Sequence, residues 1–196
     1  MSRAVWRAVA YAIAFGIVGV LVAGGLTRGI DRAVLDAFQS VVSRPLDVVA
    51  SILTILGQTE VTGVLALGIA LVWWSRDGVR GLVPLLLFVG VALELLLKYV
   101  VPHPMPPAEL SRSVDFVPFL RSASPYAFPS GHMLRITFLA ALVGARAPAW
   151  RWPLALLVTV MGLTRVYLGQ HWPSDVIGGL LLGLALAEVG TLLRRR

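Results

Sequence analysis

The chain has 196 residues, 58% of them hydrophobic and 14% charged, with a mean hydropathy of +0.84. A soluble domain of this size needs a larger polar shell, so the composition excludes an aqueous globular protein and makes lipid the solvent. The formal charge of +7 does not indicate nucleic acid, because the 17 Lys and Arg residues fall singly between apolar runs, with no basic stripe and no interleaved aromatics for base stacking. The lack of cysteine removes disulfides, thiolate metal sites and cysteine nucleophiles from consideration.

The expected architecture is all-α: one membrane-embedded domain over residues 1–196, a polytopic bundle of about six transmembrane helices with interfacial helices beside it. The first apolar run, 6–26, follows Arg3 and Arg7; it exceeds a signal-peptide core and has no persuasive cleavage site, so it reads as a retained helix. Next, Asp31 to Phe38 and Pro45 to Leu56 alternate acidic and apolar residues at helical spacing. They are too charged to cross and too apolar for a free loop, so they read as helices in the interface, the first N-capped at Asp31, forming a packing collar or a lipid-entry rim. Further spans are expected at 60–75, 80–100, 131–146, 152–169 and 174–193, the short ones completed by Trp73, Trp74, Trp150 and Trp152 at headgroup level.

Arg3, Arg7, Arg76, Arg80, Arg146, Arg151 and Arg194 to Arg196 all fall on segments of one side, with Asp77 as the only acid among them. The positive-inside rule makes that side cytoplasmic, so the chain reads as a multi-pass protein of the cell (inner or plasma) membrane with both termini in the cytoplasm and with 27–59, 101–130 and 170–173 facing outward. The 101–130 segment, with seven prolines and a polar Ser111-Arg112-Ser113 stretch, is the longest loop.

His103, His132 and His171, the chain's three histidines, stand at the outer ends of expected spans. Lys98, Arg135, Arg165 and Asp175 gather at the same depth, where each is costly unless paired or wet. Snorkelling accounts for Lys98 or Arg165 singly but not for the gathering. In Pro129-Ser130-Gly131-His132, Ser130 is a plausible N-cap and Gly131 allows close approach of backbone amides, so the helix start forms an anion site suited to phosphate. His132 is then placed to give a proton to an oxygen leaving that phosphate. His171 and Asp175 are four residues apart at a helix start, a spacing that lets the carboxylate fix the imidazole tautomer and leave the other nitrogen nucleophilic. The plainer reading of Asp175 is a helix-dipole partner. Glu94, one turn before Lys98, pairs with Lys98 or with a cation on another span, Glu188 meets Arg7 or stays protonated, and Gly179, Gly183 and Gly190 read as close helix packing.

Lys98, then Pro129-Ser130-Gly131-His132, then Thr164-Arg165 followed by five residues, His171, three residues and Asp175 resembles the type 2 phosphatidic acid phosphatase superfamily, whose motifs are K-x6-R-P, P-S-G-H and S-R-x5-H-x3-D. The motifs fall within 98–175, and the resemblance runs from about Ile30 to Leu193. It implies a phosphohistidine on His171, oriented by Asp175, with His132 protonating the leaving lipid oxygen. Lys98, Ser130, the Gly131 amide and Arg165 would hold the phosphoryl oxygens, without metal or other cofactor. The substrate it implies is a membrane lipid phosphate or diphosphate at the extracytoplasmic face. Polyprenyl diphosphate is the first choice, with phosphatidylglycerol phosphate, phosphatidic acid and prenyl-phosphosugars open. Transphosphorylation, halide oxidation as in soluble relatives, and a lipid-binding or transport protein with a decayed site are the rivals. Partners beyond lipid and bilayer are not implied, and oligomeric state stays open.

Two positions depart from the motifs. Thr164 stands for serine, and Met105 stands where the first motif has arginine. Methionine has no guanidinium fork, so Arg135, three residues past His132 on the same helix face, is the expected stand-in, ahead of His103, Arg112 and Arg121; a snorkelled or glutamate-paired Arg135 is the alternative.

Overall fold

A computed structural model of the chain describes residues 2–116 and 124–195. Eight α-helices lie in it: α1 Arg3–Ala23, α2 Arg28–Gln39, α3 Arg44–Thr54, α4 Thr59–Asp77, α5 Leu86–Val100, α6 Gly131–Arg146, α7 Arg151–Tyr167 and α8 Pro173–Arg195. Arg121 falls outside the described residues.

Helix α6 is the axis of the bundle. Residues from Met133 to Ala140 are all buried, so this half of the helix has no exposed face, and the helix packs chiefly against α8 and α7. Close approach to α8 depends on small residues: a Cβ at Gly179 would run into the Ser130 carbonyl, and one at Gly183 would come within 2.7 Å of the Leu134 carbonyl. Trp73 of α4, Leu87 of α5, Phe138 and Leu142 of α6 and Leu186 of α8 make the main apolar cluster. Many large apolar side chains of α1 and α4, including Val20, Val64 and Leu71, point outward, as expected where the solvent is hydrocarbon.

Among the described residues, three stretches are long and apolar enough to cross a membrane: Arg3–Ala23, Thr59–Val100 and Pro173–Arg194. The second, of 42 residues, reverses at Gly78 with φ +59, and the following 3₁₀ segment Gly78–Leu85 folds back so tightly that a Cβ at Gly81 would meet the α4 backbone. Helix α5 therefore starts at Leu86 rather than at the expected residue 80, because Pro84 has no N–H to give to an α-helical ladder. Helices α6 and α7, of 16 and 17 residues, are shorter than a full span.

Helix α2 begins at Arg28, so Asp31 is not its N-cap but lies buried within its first turn. The Asp31 carboxylate caps a different helix, accepting from Ser174 N at 2.9 Å and Ser174 Oγ at 2.7 Å at the start of α8. In α3, Asp47, Ala50, Ser51 and Thr54 face inward while Leu46, Val49 and Ile52 are about half exposed. The polar stripe faces protein and the apolar stripe faces out, which is the polarity of a helix set against lipid.

The two ends of the bundle differ in charge. At one end Arg7 pairs with Glu188 (2.8 Å), Arg146 pairs with Asp77, and the guanidinium groups of Arg146 and Arg194 lie over the Trp73 ring. At the other, the C-terminal ends of α3, α5 and α7 meet the first turns of α6 and α8, and there the ionisable residues gather.

Candidate active site

A cavity of about 670 Å³ opens among these helix ends, lined among others by Lys98, His132, Arg165 and His171. Each arrives at a helix terminus or an adjoining turn: Lys98 in the last turn of α5, His132 in the first of α6, Arg165 in the last of α7, and His171 just before α8. The second and third motifs are joined through backbone, Ser130 N donating to Asp175 O at 3.0 Å.

Three polar atoms at this cavity find no hydrogen-bond partner among the described residues: His132 Nε2 and Arg165 Nε on residues that line it, and Ser130 Oγ on the residue before the lining Gly131. Buried polar atoms are ordinarily satisfied, so a cluster of orphans marks a place that holds a polar ligand. Ser130 takes the N-cap position of α6, but its hydroxyl does not close onto the helix, which leaves it available. Lys98 gives one of its three protons to Tyr126 O at 2.9 Å, and Arg165 donates from Nη1 to Thr54 Oγ1 at 3.0 Å.

Asp175 is fully buried. Its Oδ2 accepts from Trp172 N at 2.9 Å and stands 3.4 Å from His171 Nδ1, a spacing that productive complexes commonly tighten. Its Oδ1 meets His103 Nδ1 at 2.8 Å. Burial pushes the His171 imidazole down to about 4, Asp175 opposing and the Arg165 charge adding to the fall. His171 is therefore neutral at physiological pH, the state a nitrogen nucleophile needs.

Arg135 reaches the cavity wall but is committed elsewhere: Nη1 donates to Glu94 Oε2 at 2.7 Å, and Nε and Nη2 donate to Gly57 O at 3.2 and 3.1 Å. The glutamate-paired alternative is thus the arrangement observed, with Glu94 also 3.9 Å from Lys98 Nζ. The other expected stand-ins are engaged with carboxylates too. His103 turns to Asp175, and Arg112 forms a two-point pair with Asp47 at 2.9 and 3.2 Å. That hydrogen-bonded guanidinium holds the Asp47 carboxyl below the usual carboxylate range. The pair pins the outer loop to α3, helped by Val114 N donating to Ser51 Oγ and Arg112 N donating to Leu168 O.

The residue that gives Gly131 its purpose also differs from expectation. A Cβ there would occupy the position of the Glu94 carboxylate, so the glycine makes room for Glu94 as well as exposing the helix start. Similarly, a Cβ on Gly57 would lie 2.7 Å from the His132 ring. Gly57 thus seats His132 and accepts from Arg135.

The PAP2 superfamily profile matches residues 81–196. The chain belongs to the PAP2 superfamily. A relative named undecaprenyl-diphosphatase from Sulfolobus acidocaldarius is 44% identical over 59 residues, covering 30% of this chain and 29% of that protein. Decaprenylphosphoryl-5-phosphoribose phosphatase of Mycobacterium tuberculosis H37Rv is 36% identical over 104 residues, covering 52% and 54%. The chain thus spans less than two thirds of either relative's length. The crystal structure of a transmembrane PAP2 type phosphatidylglycerolphosphate phosphatase from Bacillus subtilis superimposes with a TM-score of 0.77 at 24% identity over 95% of this chain and 94% of that one, a likeness of fold.

Within the PAP2 pattern, the hydroxyl of Thr164 is turned back onto its own helix, donating to Met161 O at 2.8 Å, so this motif position contributes packing. Met105 does line the cavity. Sequence reasoning missed Thr54 and Gly57, which brace Arg165, Arg135 and His132 from the end of α3 and the turn after it. No group of three or more His, Asp or Glu side chains placed to hold a metal occurs among the described residues.

Proposed function

We propose that this protein is a membrane lipid phosphatase working through a phosphohistidine. The convergence on one cavity of Lys98, the unpartnered His132 Nε2 and Arg165 Nε, and His171 backed by Asp175 carries this reading. In the first step the Nε2 lone pair of His171 forms a bond to phosphorus while the P–O bond to the leaving group breaks, and protonated His132 gives its proton to that oxygen. In the second, His132 takes a proton from water, the hydroxide oxygen bonds to phosphorus, and the N–P bond breaks, so that the sum is hydrolysis of one phosphate ester or anhydride bond. Asp175 supports the positive charge that appears on His171. Lys98, Arg165, Ser130 and the Gly131 amide hold the phosphoryl oxygens and stabilise the charge they gain in the transition state. Arg135 serves as a brace behind them, its charge shared with Glu94.

Polyprenyl diphosphate is the first-choice substrate, supported by the polyprenyl names of both relatives. Ile55, Val91 and Leu95 line the cavity beside the polar groups, and Leu95 is 42% exposed, which suits a substrate whose tail stays among lipid chains. The arginine-rich end opposite the site favours a cytoplasmic position for both termini, and hence an extracytoplasmic site in the cell membrane. Six crossings follow if the short α6 and α7 are completed by interfacial groups such as Trp150 and Trp152, which are 60% and 84% exposed.

The test is phosphate release by purified protein in detergent with EDTA, comparing wild type and His171→Ala on polyprenyl diphosphate, phosphatidylglycerol phosphate and phosphatidic acid. Release that vanishes in the variant is expected. Undiminished release by the variant would overturn the covalent mechanism, and no release by wild type from any lipid would favour a binding protein.

A further inference from the structure

We propose that His103 is a positioning residue that fixes the Asp175 carboxylate for its work on His171, a role resting on the phosphatase reading above. Residue 103 falls at an unspecified position of the first motif, which gives it no role. Yet His103 is 6% exposed and its Nδ1 meets Asp175 Oδ1 at 2.8 Å, shorter than the 3.4 Å that separates His171 from the other oxygen.

The segment carrying His103 is itself held rigidly. Its carbonyl accepts from Ala127 N at 2.8 Å, the next residue's carbonyl accepts from Trp172 Nε1 at 2.8 Å, and Pro104 forms an isolated bridge with Tyr126. Prolines at 102, 104, 106 and 107 restrict the backbone further. The donor presented to Asp175 is thus anchored at both sides, to the chain leading into α6 and to the residue following His171.

The consequence for Asp175 is geometric. With His103 on Oδ1 and Trp172 N on Oδ2, the carboxylate plane is set, and the remaining lone pair of Oδ2 faces His171 Nδ1. An aspartate that chooses its own rotation would offer His171 an oxygen only part of the time, and the imidazole would drift toward the wrong tautomer. Imidazole is also a suitable donor for the position. A permanent cation such as arginine on Oδ1 would draw on the same carboxylate charge that must stabilise His171 once its Nε2 has bonded to phosphorus, whereas an N–H donor orients the carboxylate and leaves that charge in place.

The experiment compares wild type, His103→Leu and His103→Asn in lipid-phosphate hydrolysis, and follows the imidazole tautomers by ¹⁵N NMR of histidine-labelled protein. Leucine fills the space without a donor, and asparagine returns an amide N–H near the position of Nδ1. The expected result is a kcat lowered roughly 10–100-fold in His103→Leu with KM nearly unchanged, by analogy with the loss on removing a group that orients a metal-binding side chain, and substantial recovery in His103→Asn. The His171 signal should show the Nδ1-protonated tautomer in wild type and His103→Asn, and a mixture in His103→Leu. An Asn variant as impaired as Leu, a loss carried by KM, or a His171 tautomer indifferent to both substitutions would overturn the proposal. The tautomer readout needs no turnover, so it decides the role of His103 even if wild type releases no phosphate, an outcome that would count against the phosphatase reading alone.

Discussion

Replacing Arg135 by methionine separates a brace from a phosphate ligand. The guanidinium makes three donor contacts, one to Glu94 and two to Gly57 O, and both charged side chains are more than nine-tenths buried. Arg135→Met leaves Glu94 with Lys98 at 3.9 Å as its nearest cation and Gly57 O without its donor. Removing one member of a buried ion pair costs about 3–5 kcal/mol, because the other charge stays buried. At about 2–4 °C per kcal/mol for a chain of this size, Tm should fall by roughly 6–20 °C. The assay is thermal unfolding in detergent followed by intrinsic fluorescence of the six tryptophans, with phosphate release measured on the same preparations. The double variant Arg135→Met, Glu94→Met should regain much of the lost Tm, since an apolar pair replaces the ionic one. A single variant with wild-type Tm and a raised KM would refute this reasoning and make Arg135 a direct ligand; so would a double variant no more stable than the single.

Other consequences follow from the same contacts. Asp31→Ala removes the acceptor for both Ser174 N and Ser174 Oγ and should destabilise the start of α8 by about 1–2 kcal/mol, with faster amide exchange at Ser174 as the specific sign. Gly131→Ala drives a methyl group into the Glu94 carboxylate, so it should abolish turnover while Gly16→Ala, which meets nothing within 4 Å, leaves turnover unchanged. With His171 held to about 4, its protonation should depress phosphoenzyme formation only as the pH falls toward that value; an acid limb centred at 6.5 that is traced to His171 by NMR titration would contradict the buried, neutral imidazole. The linkage has the same sign for stability: the unfolded chain takes up the His171 proton first, so this residue lowers stability as pH falls from about 6.5 to its folded value.

Much of the site is legible in the sequence because its parts sit in short local patterns. Lys98, Ser130, His132, Arg165, His171 and Asp175 each belong to a spaced motif at the end of an apolar run, and the fold brings those ends together. The supporting contacts have no such local signature. Thr54 reaches Arg165 across 111 positions, Asp31 reaches Ser174 across 143, and His103 reaches Asp175 across 72. Glu94 is an instructive intermediate: its i, i+4 relation to Lys98 is visible in the sequence, but the shorter pair is with Arg135, 41 residues away. Arg112 misleads for the same reason. A cation on the outer loop looks like a phosphate ligand until Asp47, buried on an adjoining helix, is seen to hold it.

The orientation of α3 makes the surroundings of the protein part of its catalytic scaffold. Leu46, Val49 and Ile52 face outward, about half exposed among the described residues, while Thr54 at the end of the same helix positions Arg165 and the turn beyond it seats His132. Acyl chains pressing on that outer stripe therefore push α3 against the cavity wall. A detergent that strips them away should loosen the helix that steadies Arg165 and His132, so headgroup packing and bilayer thickness should register directly in turnover, without any lipid having to enter the site.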